Sequence, residues 1–274
     1  MHKWLIIAPI LLLLIALYMI IQAAVYKTRY YNLEYGMGLR ILHLTDIHIN
    51  LLNISSARMR KTILSVNPDF ILIGGDIIDR PKDLDKFAKW FKEIDIKLPV
   101  FAVFGNHEHT AFKKYPHLKK QFINTMKELD IRLLTNEVIF LQGKQDNDSD
   151  RSNKIALIGI DDIKTGAAVS YNIFNGLKNK CNCIVAFSHN PDISLHIPES
   201  SVDLLLLGHF HGGQIWMPFK LEYLLFRRDR LCQMGHISGF STIRKNLIYI
   251  NRGLGTVIVP FRFLSIPEVT VIDI

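Results

Sequence analysis

Two kinds of hydrophobic pattern run along this chain. From Trp4 to Val25 no residue is charged and most positions are Leu, Ile, Ala or Val, whereas past residue 40 the apolar residues come in short runs, each closed by polar side chains. At about 1.5 Å per residue the first stretch makes a helix of roughly 33 Å, enough to cross a bilayer core of about 30 Å. Pro9 lies in its first third, where it kinks a membrane helix rather than abolishing it. The pattern therefore predicts a transmembrane anchor over 4–25, after a flank of residues 1–3 and before a polar linker over 26–39. In that linker Tyr26, Tyr30, Tyr31 and Tyr35 fit an interfacial aromatic belt. A cleaved signal peptide is the competing reading, with Ile21-Gln22-Ala23 or Ala23-Ala24 at the cut. It is disfavoured because the apolar core exceeds the roughly 7 to 15 residues of such a segment. Lys27 and Arg29 outweigh Lys3 on the other flank, which favours a cytoplasmic domain over an extracytoplasmic one.

Five of the later runs share one form. Ile41–Thr45 precedes Asp46-Ile47-His48; Phe70–Ile73 precedes Gly74-Gly75-Asp76-Ile77-Ile78-Asp79-Arg80; Val100–Phe104 precedes Gly105-Asn106-His107-Glu108. Ile184–Phe187 precedes Ser188-His189-Asn190-Pro191-Asp192, and Leu204–Leu207 precedes Gly208-His209-Phe210-His211. Continuous apolar runs of this length mark strands buried on both faces. The spacers at 55–66, 82–94 and 113–129 have helical periodicity, so the first half alternates strand and helix. Because the polar cluster always follows its strand, the clusters should meet at the carboxyl edge of a sheet, where α/β proteins place their sites.

Composition narrows the class. The chain has 274 residues, 49% of them hydrophobic, which suits one domain plus the N-terminal segment. Three cysteines cannot form a disulfide framework. The net charge of +8 divides into +3 over residues 1–40 and +5 over the rest, too mild for a dedicated nucleic-acid binder.

A lone histidine after an apolar run is ordinarily a satisfied polar residue at a strand end. Five clusters in register with five buried strands bring their Asp, His and Asn side chains into one small volume. Carboxylates so packed cannot all stay ionised without cations between them. Mixed carboxylate, imidazole and amide donors suit Mn²⁺, Fe or Zn²⁺, and the number of donors suits two ions sharing a carboxylate. Glycines 74, 75, 105 and 208 stand before ligand positions, where the chain turns sharply.

Taken jointly the five clusters resemble the signature of the calcineurin-like metallophosphoesterases, over residues 40–274. Ser188–Asp192, Gly208–Gln214 and Asn251-Arg252-Gly253-Leu254-Gly255-Thr256 are similar to the bacterial membrane-associated branch, which includes phosphodiesterases and UDP-2,3-diacylglucosamine diphosphatase. The resemblance implies a two-sheet sandwich flanked by helices. It implies one metal ion held by Asp46, His48, Asp76 and His211, and a second by Asp76, Asn106, His189 and His209. It also places His107 beside the scissile phosphate with Asp79 orienting its imidazole. The expected reaction is hydrolysis of a phosphomonoester, phosphodiester or pyrophosphate by metal-bound hydroxide, on a substrate such as UDP-2,3-diacylglucosamine that is itself lipid-linked. A nuclease of the same superfamily and a non-catalytic metal-binding module are the alternatives.

Arg80 and Arg252 are candidates for phosphate contact, since guanidinium matches phosphate geometry. Glu108 is expected to support its loop, and His43 to be packed in the core. The segment from Ile215 to Arg228 sets large apolar side chains beside a basic pair, as either a lipid-facing surface or core. Lys113, Lys114, Lys119 and Lys120 form a further basic group, and Asp146–Ser152 reads as an exposed loop.

Overall fold

The structure, a computed structural model, describes residues 3–144 and 153–274, so the polar stretch 146–152 lies outside the described residues. Helix α1 (Lys3–Ala24) is followed by two six-stranded sheets. The first comprises β1 (Lys27–Asn32), β12 (Glu268–Asp273), β2 (Arg40–Leu44), β3 (Phe70–Ile73), β4 (Val100–Ala102) and β5 (Ile131–Leu133), in that spatial order. The second runs β10 (Gly239–Ile243), β11 (Asn246–Ile250), β9 (Leu204–Leu207), β8 (Cys183–Phe187), β7 (Lys154–Gly159) and β6 (Glu137–Gln142). Strands β2 to β5 are mutually parallel, as are β7, β8, β9 and β11.

Alternate residues of the central strands face two different cores, which explains why those strands read as unbroken apolar runs. Ile41, Leu72, Phe101, Val185 and Leu206 pack between the sheets. Leu42, Ile71, Ile73 and Val100 pack under helices α2 (Ser56–Val66), α3 (Pro81–Ile94), α4 (Asn106–Lys114) and α5 (Pro116–Glu128). On the outer face of the second sheet, Ile184, Leu205 and Ile248 meet α6 (Arg230–Gln233) and short 3-10 turns. The protein is thus a two-sheet sandwich flanked by helices, as expected.

Three expectations need revision. The helical segment placed at 113–129 is two helices, because Pro116 has no N–H to continue α4 and instead opens α5. The linker over 26–39 contains β1, which pairs with β12 from Lys27 to Asn32. The aromatic belt is mostly docked: Tyr31 packs against Phe240 and Tyr249, Tyr35 donates to the Asp203 carbonyl, and Tyr26 hydrogen-bonds Thr62, leaving Tyr30 as the exposed member.

Candidate active site

The parallel arrangement brings the loops after β2, β3 and β4 to one end of the first sheet and those after β8 and β9 to the same end of the second. All seven residues expected as metal ligands, with His107 and Asp79, converge there. Asp76 lies at the centre. Its Oδ2 is 3.0 Å from His189 Nε2, 3.6 Å from His48 Nε2 and 3.9 Å from His107 Nε2. To one side, His211 Nε2 is 3.2 Å from Asp46 Oδ1; to the other, His189 Nε2 is 3.1 Å from His209 Nδ1.

Backbone and neighbouring side chains hold these groups in place. The Asp46 carboxylate accepts from Thr45 Oγ1 and from the His209 backbone N–H, each at 3.0 Å, tying the two sheets together. His189 Nδ1 meets the Gly74 carbonyl at 2.9 Å, which directs Nε2 towards Asp76. Glu108 is fully buried and accepts from four backbone N–H groups, those of Asp76, Ile77, Ile78 and Gly105. It therefore supports two loops, as expected, rather than facing the other ligands. Gly75 adopts φ +85°, and a Cβ there would lie 2.6 Å from Gly105 N, so glycine is required where these loops cross. Asp46, His48, Asp76, His209 and His211 have φ between 40° and 72°. Such backbone costs about 1–2 kcal/mol at each non-glycine residue, and this strain is concentrated where side chains turn inward together.

The titration behaviour follows from this crowding. Burial alone would raise Asp46 and Asp76, but nearby imidazoles outweigh it and hold both well below the ordinary carboxylate range. Burial lowers His211 to about 3 despite Asp46. His107 goes the other way: burial opposes its charge, but Asp76 and Asp79 raise it to about 9.

The donor set fits divalent cations. His48 Nε2 and Asn106 Oδ1 are buried and have no hydrogen-bond partner, although both belong to polar groups that must be satisfied somehow. Three groups of ligand atoms, Asp46/His48/His211, His48/Asp76/His107 and Asp76/His189/His209, each lie within coordinating reach of one another. Two of the three share Asp76, and all donors are carboxylate oxygen or imidazole nitrogen, with the Asn106 amide beside them.

Asp79 does more than orient His107. Its Oδ1 is 2.5 Å from His107 Nδ1 and 3.2 Å from His48 Nδ1, so one carboxylate fixes two rings. The two arginines expected at the phosphate are not among the residues lining the cavity. Arg80 reaches Asp83 at 3.7 Å, and Arg252 Nε is 4.0 Å from Glu268. Arg227 occupies that place instead, with Nη1 3.2 Å from His209 Nε2. The Arg227-Arg228 pair was visible in the sequence, but only as surface charge. Also unforeseen is Asp229, buried, 3.5 Å from His209 Nε2 and paired with Lys164. Arg262 is fully buried and donates to the carbonyls of His211, Arg252 and Gly255.

A cavity of about 530 Å³ opens over the cluster. Asp76, Asn106, His107, His209 and His211 form its floor; Ile215, Met217, Val257, Ile258 and Val259 form an apolar wall, with Arg227 between. A second cavity of about 530 Å³, at Asn32, Arg40 and Asp69, is lined by the ion pairs Arg40–Asp273 and Lys144–Asp69 and has no such ligand cluster among the described residues.

This sandwich, with its acidic and imidazole side chains gathered at the strand ends, is that of a metal-dependent phosphohydrolase. The family described as calcineurin-like phosphoesterase matches residues 39–213, and the chain belongs to it. Among curated relatives it is similar to the metallophosphoesterase YkoQ of Bacillus subtilis (strain 168), 31% identical over 235 residues, covering 85% of this chain and 82% of that one. It is also similar to YkuE of the same organism, 27% identical with 85% and 78% covered, and to phosphodiesterase YaeI of Escherichia coli (strain K12), 26% identical with 86% and 82% covered.

Proposed function

We propose that the protein is a membrane-anchored phosphoesterase using two divalent ions, and that its substrate joins a phosphate ester or anhydride to an apolar group, as in UDP-2,3-diacylglucosamine. The observation that carries this reading is the cavity, whose floor is the ligand cluster and whose wall is Ile215, Met217 and Val257 to Val259. A small soluble phosphate would need the floor alone. An N-terminal helix long and apolar enough to cross a membrane supports the anchored half of the reading.

In this assignment Asp46, His48, Asp76 and His211 hold one ion, and Asp76, Asn106, His189 and His209 hold the other. Bound there, divalent ions supply charge neutralisation to phosphoryl oxygens and acidify water to a usable nucleophile. The remaining chemistry belongs to the chain. Asp79 occupies His107 Nδ1, which leaves Nε2 turned towards the cavity as proton donor to the departing oxygen. Arg227, just past the short helix Leu221–Phe226, presents a guanidinium with no ion-pair partner among the described residues, placed to bind a second charged group of the substrate. The wall excludes water from one side of the ester.

The test is steady-state hydrolysis by the full chain in mixed micelles, comparing p-nitrophenyl phosphate, its bis ester and UDP-2,3-diacylglucosamine, each with and without Mn²⁺ after chelation. The acylated substrate is expected to show kcat/KM at least tenfold above the soluble esters. Equal values would remove the apolar part of the reading, and turnover indifferent to chelation would remove the metal part.

A further inference from the structure

Helix α1 does not leave the domain where its sequence becomes polar. Its last two turns, from Tyr18 to Ala24, are packed on the loop 262–265: the Tyr18 ring meets Phe263 edge-on at 5.9 Å, the Met19 carbonyl accepts from Arg262 N–H, and Gln22 Oε1 accepts from Ser265 N–H at 3.1 Å. Gln22 and Ala23 are buried there, while Ile20 and Ile21 on the opposite face remain exposed. The uncharged stretch free of the domain, bounded by the charge of Lys3, is therefore Trp4 to Leu17, about 21 Å at 1.5 Å per residue. A bilayer core of about 30 Å exceeds this by roughly 9 Å, and any tilt widens the gap.

The domain carries matching apolar surface at that place. Loop 262–265 bonds to the segment after His211, where Trp216 N–H donates to the Phe263 carbonyl. Gln214 joins that segment to a third loop, donating to the Val257 and Val259 carbonyls and accepting from Val257 N–H. On these three connected loops stand Phe219, 91% exposed, Ile258, 90% exposed, Leu264 and Trp216. Outside α1, Phe219 and Ile258 are the most exposed large apolar side chains among the described residues. Phe219, Ile258 and Leu264 all have left-handed backbone, φ 58°, 67° and 52°, a conformation that aliphatic and aromatic residues avoid. Lys220 and Arg228 flank them and are exposed, as headgroup contacts require.

We infer that the domain is itself partly embedded: the loops carrying Trp216, Phe219, Ile258 and Leu264 enter the leaflet that receives the end of α1, placing the mouth of the active-site cavity at the hydrocarbon boundary. An insertion of about 5–10 Å, usual for interfacial apolar elements, closes the length deficit of α1. The cavity wall of Val257 to Val259 is then continuous with the acyl layer, and an amphiphile reaches the metal cluster without leaving the membrane. This rests on the anchored reading given above and adds the depth and orientation of the domain.

The experiment is spin-label accessibility on the full chain in nanodiscs of mixed phosphatidylethanolamine and phosphatidylglycerol. Single cysteines are introduced as Leu13→Cys in α1, Phe219→Cys and Leu264→Cys in the loops, and Lys245→Cys at the opposite end of the strands. The parent chain, whose three cysteines are buried, serves as labelling blank. Oxygen collisions are expected to exceed those of an aqueous nickel chelate at 13, 219 and 264, and to fall below them at 245. Lipid-like behaviour at 13 with aqueous behaviour at 219 and 264 would overturn the embedding and leave the anchor standing. Aqueous behaviour at 13 would overturn the anchor and the embedding with it.

Discussion

Asp79 is the residue whose role the structure enlarges most, because one carboxylate bonds the Nδ1 atoms of both His48 and His107. Asp79→Asn is therefore expected to lower metal affinity by about 10–100-fold, as loss of a carboxylate behind a ligating imidazole does, and also to lower turnover at saturating metal. His107→Ala should keep full metal content and lose about 10²–10⁴ in kcat, so metal analysis beside kinetics separates the two positions. His43 offers a different test. Its ring is fully buried with neither nitrogen hydrogen-bonded, and burial lowers it to about 3 from an ordinary value near 6.5. The unfolded chain takes up a proton as pH falls through 6.5 and the folded chain does not, so this stability is complete above 6.5 and declines towards 3. His43→Leu should remove that decline, with the gap between variant and parent changing by about 1.4 kcal/mol per pH unit below 6.5 in urea unfolding. The convergence of Asp46, Asp76, Asn106 and the histidines was legible because each follows an apolar run. Arg227, Asp229 and Arg262 follow no strand, because the apolar stretches Tyr223–Phe226 and Val257–Phe261 lie in a short helix and a loop, and their distance to the site is set by tertiary folding alone.

At the level of elements, the same contrast separates central from edge strands. The strands β2, β3, β8 and β9 are buried on both faces and are read directly from their apolar runs, interrupted inside β2 only by the buried His43. Strands β1 and β6 lie at sheet edges with alternating exposure, and sequences such as Lys27-Thr28-Arg29-Tyr30-Tyr31-Asn32 look like linker. The junction of β3, β4 and α4 was legible in its glycines but not in its keystone. Glu108, at the third position of α4, accepts from Gly105, the residue that caps its own helix, and from the loop bearing Asp76. Glu108→Ala leaves four buried N–H groups without that acceptor, expected to cost at least about 3 kcal/mol, or roughly 6–12 °C in melting temperature. Metal content should fall with it, since Asp76 and Asn106 stand on the two loops that Glu108 joins. Calorimetry and metal analysis on the same preparation check both effects.

For the whole molecule, the N-terminal helix reads from its sequence as a uniform apolar span, and Gln22 as a polar residue near its end. The structure gives Gln22 a partner in Ser265, and Ser265 Oγ in turn donates to the His211 carbonyl at 2.9 Å. Arg262, whose N–H donates to Met19, donates through Nη1 to the same carbonyl. Two short chains of hydrogen bonds therefore run from the helix to a residue of the ligand cluster, and the helix is a structural part of the domain beyond the anchoring role proposed for it. Gln22→Leu keeps the hydropathy needed to span a membrane but leaves the buried Ser265 N–H unmet, a loss of about 1–3 kcal/mol. The full-length variant is thus expected to stay in the membrane fraction, to melt about 2–12 °C lower, and to bind the first ion more weakly through His211. A variant that melts and binds metal as the parent does would show that the helix end only rests on the domain, and that anchoring and catalysis are mechanically separate.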